Sequence, residues 1–331
     1  MHPATQRRAI YLIYPEHGVL DSHIMALNWL HQHGVSALVV SNLALSDFDR
    51  ARLTPCCWAI LERPNIGYDF GGYRDGVLQI ADQLSDLQQL IILNDSTWFP
   101  LPGSQDWLQN VSDLGVDFAG AVPHMAVKAQ DSATFQDQRW TYDATSTRFY
   151  YASFALAFGP NILKDAGFLE YWQSLRLASA KNTTVRRGEV GLSQWVLKRG
   201  YTHASTLELT KLDQHLAQLG LDRLRQITRD VIALNNLPLA DTKQRLLNDL
   251  DTVSSGTLVA FLLYAGARQG VSYALQNYTI KERGFSFLKK SPIRLNADGR
   301  DITLALIDCL DGPTAEIIKS EARQIQLTRF T

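Results

Sequence analysis

A chain of 331 residues with 32 basic and 33 acidic side chains carries a formal charge of −1, which excludes a strongly basic nucleic-acid binder and an acidic disordered tail. Its 46% hydrophobic, 10% aromatic and 20% charged residues suit a globular protein that buries about 75% of its unfolded surface, and its length suggests about two domains. The three cysteines, Cys56, Cys57 and Cys309, have no zinc spacing, so a reducing compartment is expected.

The polar start, Met1 to Arg8, runs into an apolar strand without the apolar core of a secretory leader. Ala9 to Tyr14 reads as a buried strand, Leu20 to His33 as a helix ending at Gly34, and Ser36 to Val40 as the next strand, which makes a βαβ unit. Cys57 to Leu61 is a third strand, Gly72 to Leu84 a helix, and Gln89 to Leu93 a fourth strand that stops at Asn94-Asp95-Ser96. Uninterrupted apolar runs separated by helices predict an α/β fold, a Rossmann-type, mostly parallel sheet with helices on both faces. Ligands bind such sheets at the carboxyl ends of the strands, so the loops after Tyr14, Val40, Leu61 and Leu93 are expected on one edge. Tyr14 and Asn42 stand at the first two of these tips.

Farther on, Phe118 to Val122 is a short strand, and His124 to Thr147 is a polar excursion with little periodicity. Phe149 to Phe158 reads as one strand, Asn161 to Leu175 as a helix, Glu189 to Arg199 as a helix closed by Gly200, and Tyr201 to Leu207 as a last strand. Beyond Thr210 strand signals nearly vanish and Leu-rich helical spacing dominates. Two domains are therefore expected, an α/β domain over 1–209 and a mainly helical one over 210–331.

Three segments carry candidate chemistry. In Glu62 to Arg74, Gly67, Gly71 and Gly72 let a backbone turn or a ligand approach, while Arg63, Asn65 and Asp69 offer hydrogen bonds beside a helix N-terminus that favours a diphosphate. The plainer alternative is a βα loop whose Asp69 caps the helix. At the fourth strand tip Asp95 can hold a divalent cation, with Asn94 and Ser96 as weaker oxygen donors; the same triplet also suits an Asx turn. In Arg186 to Ser193, Glu189 is either a helix N-terminal charge or a general base, and Arg187 either a diphosphate contact or a solvated side chain. His203 completes a metal site or is structural.

The order Arg-x-Asn-x-Gly-x-Asp-Phe-Gly-x-Tyr (Arg63 to Tyr73), Leu-Asn-Asp-Ser-x-x-x-Pro (Leu93 to Pro100), Tyr151-Ala-Ser-Phe154, Phe168-Leu-Glu-Tyr-Trp172 and Glu189-Val-Gly-Leu-Ser193 resembles the rhamnan synthesis F family of bacterial glycosyltransferases. More distantly it is similar to the GT-A family 2 pattern, and the likeness spans roughly residues 9 to 207. The resemblance implies a GT-A-like domain in which Asn65, Gly67 and Asp69 line a nucleotide-sugar pocket, Asn94-Asp95-Ser96 stands where an acidic metal motif would, and Glu189 falls at the Glu of a Glu-Asp pair. Beside these, Tyr14, Asn42, Arg63, Tyr73, Asn94, Ser96, Ser153 and Arg187 are expected to line the pocket, Asp95 to hold Mg²⁺ or Mn²⁺ with His203 as a candidate further ligand, and Asp95 and Glu189 to be the catalytic residues. Val190 replaces the Asp of the usual Glu-Asp pair, and two of the three positions at 94 to 96 are not acidic. The implied donor is dTDP-rhamnose or a similar nucleotide sugar. The implied acceptor is a glycan or lipid-linked glycan of a bacterial surface polysaccharide such as an O-antigen, capsule or rhamnan. An inverting reaction is expected, with a base opposite the leaving diphosphate.

Two rivals stand beside it: a nucleotide-sugar or glycan binder without catalysis, and a scaffold acting through its C-terminal helices. The longest apolar stretch, Thr257 to Ala267, is about half of the ~20 residues of a membrane span. A cytoplasmic protein is expected. The apolar residues Leu258, Val259, Phe261, Leu262 and Leu263, with Lys281, Lys289, Lys290 and Arg294 beyond them, either touch the inner leaflet or form a helix-bundle core with solvated lysines.

Overall fold

The computed structural model describes residues 1–327. Among them a seven-stranded sheet is built from β1 (Arg7–Ile13), β2 (Ser36–Ser41), β3 (Ala59–Glu62), β4 (Gln89–Asn94), β5 (Phe118–Gly120), β6 (Ala155–Phe158) and β7 (His203–Ser205). Its order is β7-β5-β6-β4-β1-β2-β3. β6 alone among these runs antiparallel to its neighbours, β4 and β5; the other pairings are parallel. The predicted α/β class, a mostly parallel sheet followed by a mainly helical C-terminal region, is the observed one.

The apolar runs are uninterrupted because both faces of the sheet are covered. Ile10, Leu12, Leu38, Val40, Leu90 and Ile92 point to one face and join the core of Phe70, Tyr73, Phe168 and Trp172. Those last four come from two helices, α3 (Tyr68–Gln79) and α5 (Ala166–Ser174). Ala9, Tyr11, Ile13, Val39 and Ile91 have the opposite parity and are equally buried. Helix α1 (Asp21–Gln32) lies on that side, with His23 edge-on to Tyr11 at 6.2 Å.

Register levels the strand tips. Leu12 pairs with Asn94, Ile13 with Ser41, and Ser41 with Glu62, so the residues that follow β1 to β4 emerge on one edge as expected. Helix α3 sits close to β1 because Gly72 and Gly76 face it. A Cβ on Gly72 would lie 2.3 Å from Leu12 Cδ1, and one on Gly76 2.8 Å from Ile10 Cγ2. Four residues of helix match two of strand, about 6 Å in each case.

Backbone packing divides the chain into two compact units. One comprises Met1–Pro100, Asp106–Pro123 and Thr147–Thr206; the other comprises Leu101–Gln105, His124–Ser146 and Leu207–Thr331. Each unit gathers separate stretches, whereas the sequence reading draws each domain as one. Of the His124 to Thr147 excursion, His124–Ser146 belongs to the helical unit. Phe135 contacts Phe261 and Tyr264 with ring centroids 6.1 Å away, and Trp140 Nε1 donates to the Leu209 carbonyl at 2.6 Å.

The apolar stretch, for which a leaflet contact and a helix-bundle core stand as alternatives, is largely buried. It lies on a helix, Ser255–Gln269, in which Leu258, Phe261, Leu262 and Leu263 are buried, while Lys289 packs over Tyr273 and Lys290 lies 3.6 Å from Glu321. This burial accords with the helix-bundle alternative. Among the described residues no helix is long and apolar enough to cross a membrane.

Candidate active site

The tip of β4 is fixed first. The Asp95 amide donates to Leu12 O at 3.1 Å and its Oδ2 accepts the Tyr14 amide at 2.8 Å, so this one residue joins the ends of β4 and β1. Asn94 Oδ1 accepts both the amide and the hydroxyl of Ser96, at 3.2 and 2.6 Å, which is the Asx turn. The remaining donor of Asn94, Nδ2, reaches Asp69 Oδ2 at 3.1 Å. The two polar loops therefore meet.

Asp69 does not cap α3. The N-cap is Gly67, in the left-handed region at φ 80°, and Asp69 sits in the first turn, where its carboxylate meets Asn94 of β4. Tyr68 is also left-handed, at φ 52°, which is strained for an aromatic residue. The loop is held from both sides: Tyr68 Oη donates to Ser179 O at 2.9 Å, and Leu177 fills the space a Cβ on Gly67 would need.

Tyr73 joins the halves. Its ring is fully buried and its hydroxyl donates to Ser153 O at 2.9 Å. Burial, then the Asp69 carboxylate, push its pKa well up; Glu189 and Asp95 add to this and the Asn94 side chain opposes it. The phenol is thus a neutral donor, kept so by burial and by the field of three carboxylates. Ser153 in turn donates its amide and its hydroxyl to Glu189 Oε1, each at 2.7 Å. Glu189 stands on a π-helical turn, Arg186–Val190, that leads into α6 (Gly191–Lys198).

Other expected residues have different work. Arg63 is buried and spent on the loop itself: Nε donates to Asp75 at 2.6 Å, Nη1 to Asn42 Oδ1 at 2.5 Å and Nη2 to Ile66 O at 2.8 Å. Arg63 and Asn42 thus shape the cradle. Arg63→Met should lower stability by about 2–3 kcal/mol, less than for a fully buried pair because Asp75 is one-third exposed. Thermal melting compared with an Asp75→Asn chain checks it. Asn65, Ser96 and Arg187 are exposed, as is the Tyr14 ring at the β1 tip.

His203 is not brought to Asp95. Its Nδ1 is 2.7 Å from the Tyr151 hydroxyl, burial lowers its pKa, and β7 lies three strands from β4, about 14 Å at the usual strand spacing. The histidine beside Asp95 is instead His23. Its Nδ1 accepts the Leu20 amide at 3.2 Å, which leaves the neutral ring's hydrogen on Nε2, 3.3 Å from Asp95 Oδ2. A polar residue on the buried stripe of α1, in line with Leu27 and Leu30, was the available signal for it.

Among the described residues no three His, Cys, Asp or Glu side chains form a closed metal site. Asp69 and Asp95 are hard oxygen donors of the kind that bind Mg²⁺ or Mn²⁺ together with substrate phosphates. Two carboxylates would leave most of such a cation's oxygen shell to substrate phosphates and water.

The chain is similar to several known proteins. A protein of Sinorhizobium fredii, y4gN, is 31% identical over 192 residues, 58% of this chain and 46% of that relative, so the chain spans about half the length of the curated protein it matches. Among solved structures it is similar to Staphylococcus aureus TarS (TM-score 0.34, 8% identity, 98% of this chain and 54% of that one). It is also similar to the Saccharomyces cerevisiae mannosyltransferase Ktr4p in complex with GDP (0.31, 7%, 57% and 65%). A third is the Mn/GDP form of core-mannan synthase A from Aspergillus fumigatus (0.29, 8%, 52% and 64%). These likenesses are too distant to bear on mechanism. Residues 37–250, more than half of the chain, match the rhamnan synthesis protein F family, and the chain belongs to that family.

Proposed function

We propose that this protein is an inverting glycosyltransferase that moves a sugar from a nucleoside diphosphate donor to a hydroxyl of a glycan or lipid-linked glycan in bacterial surface polysaccharide assembly. The donor expected from the family resemblance is dTDP-rhamnose or another deoxyhexose nucleotide, used on the cytoplasmic side. The observation that supports this reading best is the 3.1 Å bond between Asn94 and Asp69, which gathers two polar strand-tip loops into one cradle with Glu189 behind Tyr73 and Ser153.

In the proposed reaction Glu189 accepts the proton of the acceptor hydroxyl as that oxygen bonds to the anomeric carbon. The bond from that carbon to the diphosphate breaks, and its electron pair leaves with the phosphate oxygen. Asp95 and Asp69 would hold Mg²⁺ or Mn²⁺, which supplies positive charge to the departing diphosphate. The first turn of α3 and the exposed Arg187 add positive potential from the protein itself. Arg63 and Asn42 keep the Asn65 to Asp69 loop in shape for the donor, and the α/β residues of 1–209 form the donor domain.

A thermal-shift screen of dTDP-, UDP- and GDP-sugars tests this. The true donor at 100 times its Kd should add about 2.7 kcal/mol of stability, and Mn²⁺ should enlarge and EDTA shrink that gain. Nucleoside diphosphate release in the same samples separates an enzyme from a binder, which would be stabilised without turnover. A chain that no nucleotide sugar stabilises rules the proposal out.

A further inference from the structure

Ser153 touches Glu189 more intimately than any lining residue needs to. Both of its hydrogen donors go to a single carboxylate oxygen, Oε1, at 2.7 Å, and its carbonyl takes the hydroxyl of the fully buried Tyr73. On the next matching step of helix and strand, Ser193 Oγ accepts the Tyr151 amide at 2.9 Å. Residues 189 and 193 on the helical side thus meet 153 and 151, respectively, on the facing segment.

The turn that carries Glu189 is also fixed from behind. Gly188 presses on Phe70, where a Cβ would lie 2.3 Å from the ring, and Tyr171 Oη reaches the Arg187 and Gly188 carbonyls at 3.3 and 3.2 Å. A π-turn of this sort shifts a side chain off the regular helical face and is frequent at functional sites.

We infer that Ser153, backed by Tyr73, is a positioning residue for Glu189: it fixes one carboxylate oxygen with two donors and leaves the other, Oε2, as the atom that meets the acceptor hydroxyl. This rests on the glycosyltransferase reading above and changes the role of Ser153 from a donor-lining residue to the clamp of the base. Tyr73 carries the same restraint toward the strand tips, because it stands one helical turn after Asp69, which Asn94 bonds. The donor cradle and the proton acceptor are thereby held in one hydrogen-bonded frame.

The test uses the full chain with Ser153→Ala, Ser153→Thr and Tyr73→Phe. The carboxyl carbon resonance of Glu189, identified by its loss in Glu189→Gln, should move in Ser153→Ala and return toward its original place in Ser153→Thr. With dTDP-rhamnose, or whichever nucleotide sugar the screen selects, Ser153→Ala should lower kcat about 100-fold while KM for the donor stays within about twofold, and Ser153→Thr should restore most of the rate. Tyr73→Phe, which keeps the ring in the core, should shift the same resonance. An unmoved Glu189 resonance in Ser153→Ala overturns the inference, as does a rise in KM at constant kcat, which would make Ser153 a donor contact. A wild-type chain that turns over no nucleotide sugar defeats the glycosyltransferase reading instead, and the resonance still decides whether the clamp exists.

Discussion

Glu189→Gln should lower sugar transfer by about 10³- to 10⁴-fold while leaving the fold and donor binding in place. The amide keeps the size of the carboxylate, and its oxygen can still accept the amide and hydroxyl of Ser153. Its other end then presents an NH₂ group where Oε2 stood. That group has donors and no accessible lone pair, so it cannot take a proton from the attacking hydroxyl. Nucleoside diphosphate release in the presence of an acceptor, set against the donor-induced melting shift, separates the two effects. Turnover within tenfold of the natural chain would remove Glu189 from the role of base.

Gly71→Ala should be the most disruptive single methyl in the α/β unit. Alanine is ordinarily favoured over glycine inside a helix by about 1 kcal/mol, so propensity alone predicts stabilisation. Here the new Cβ would lie 1.9 Å from the Ile66 carbonyl oxygen and 2.9 Å from Arg63 Nη2. The first of these atoms is backbone and cannot rotate away. The loop must lift, breaking the bond from Arg63 to Ile66 and moving Asp69 away from Asn94. A loss of about 3 kcal/mol is expected, together with loss of nucleotide-dependent stabilisation. Melting with and without donor checks both parts, and a gain in stability would show that α3 does not enter the sheet as described.

Much of the fold was legible because a parallel strand buried on both faces must be apolar throughout. Ala9 to Tyr14, Ser36 to Val40 and Gln89 to Leu93 each mark a strand to within two residues of its observed bounds. Helix α3 was placed four residues late, since it begins at Tyr68 through a left-handed Gly67 with no Ser, Thr or Asp cap, and Gly71-Gly72 reads locally as a break. Those glycines lie inside the helix, where the tight contacts with Ile66 and Leu12 leave no space for side chains. The single strand expected over Phe149 to Phe158 is two pieces, Tyr150–Tyr151 and Ala155–Phe158. The break falls at Ser153, whose backbone amide and carbonyl bond to Glu189 and Tyr73 in place of a strand ladder.

The candidate site was legible in part for a related reason. Parallel topology alone places Asp69 and Asp95 on one edge, but the bond between Asn94 and Asp69 spans 25 positions, and the Ser153 to Glu189 clamp spans 36. No local pattern encodes such pairs. Arg63 looked like a ligand contact because an arginine after a strand tip is a common anion binder; its three acceptors lie within the chain, and only the folded loop shows that they satisfy it.

The way the chain threads its two units limits how it can be dissected. A fragment ending at Thr206 would retain residues 124–146 but discard what they rest on: Phe135 would lose Phe261 and Tyr264, and the Trp140 indole would lose its acceptor at Leu209. No single cut therefore frees the sheet-bearing half intact. Minimising the protein would require excising the inserted stretches and bridging the gaps with short linkers.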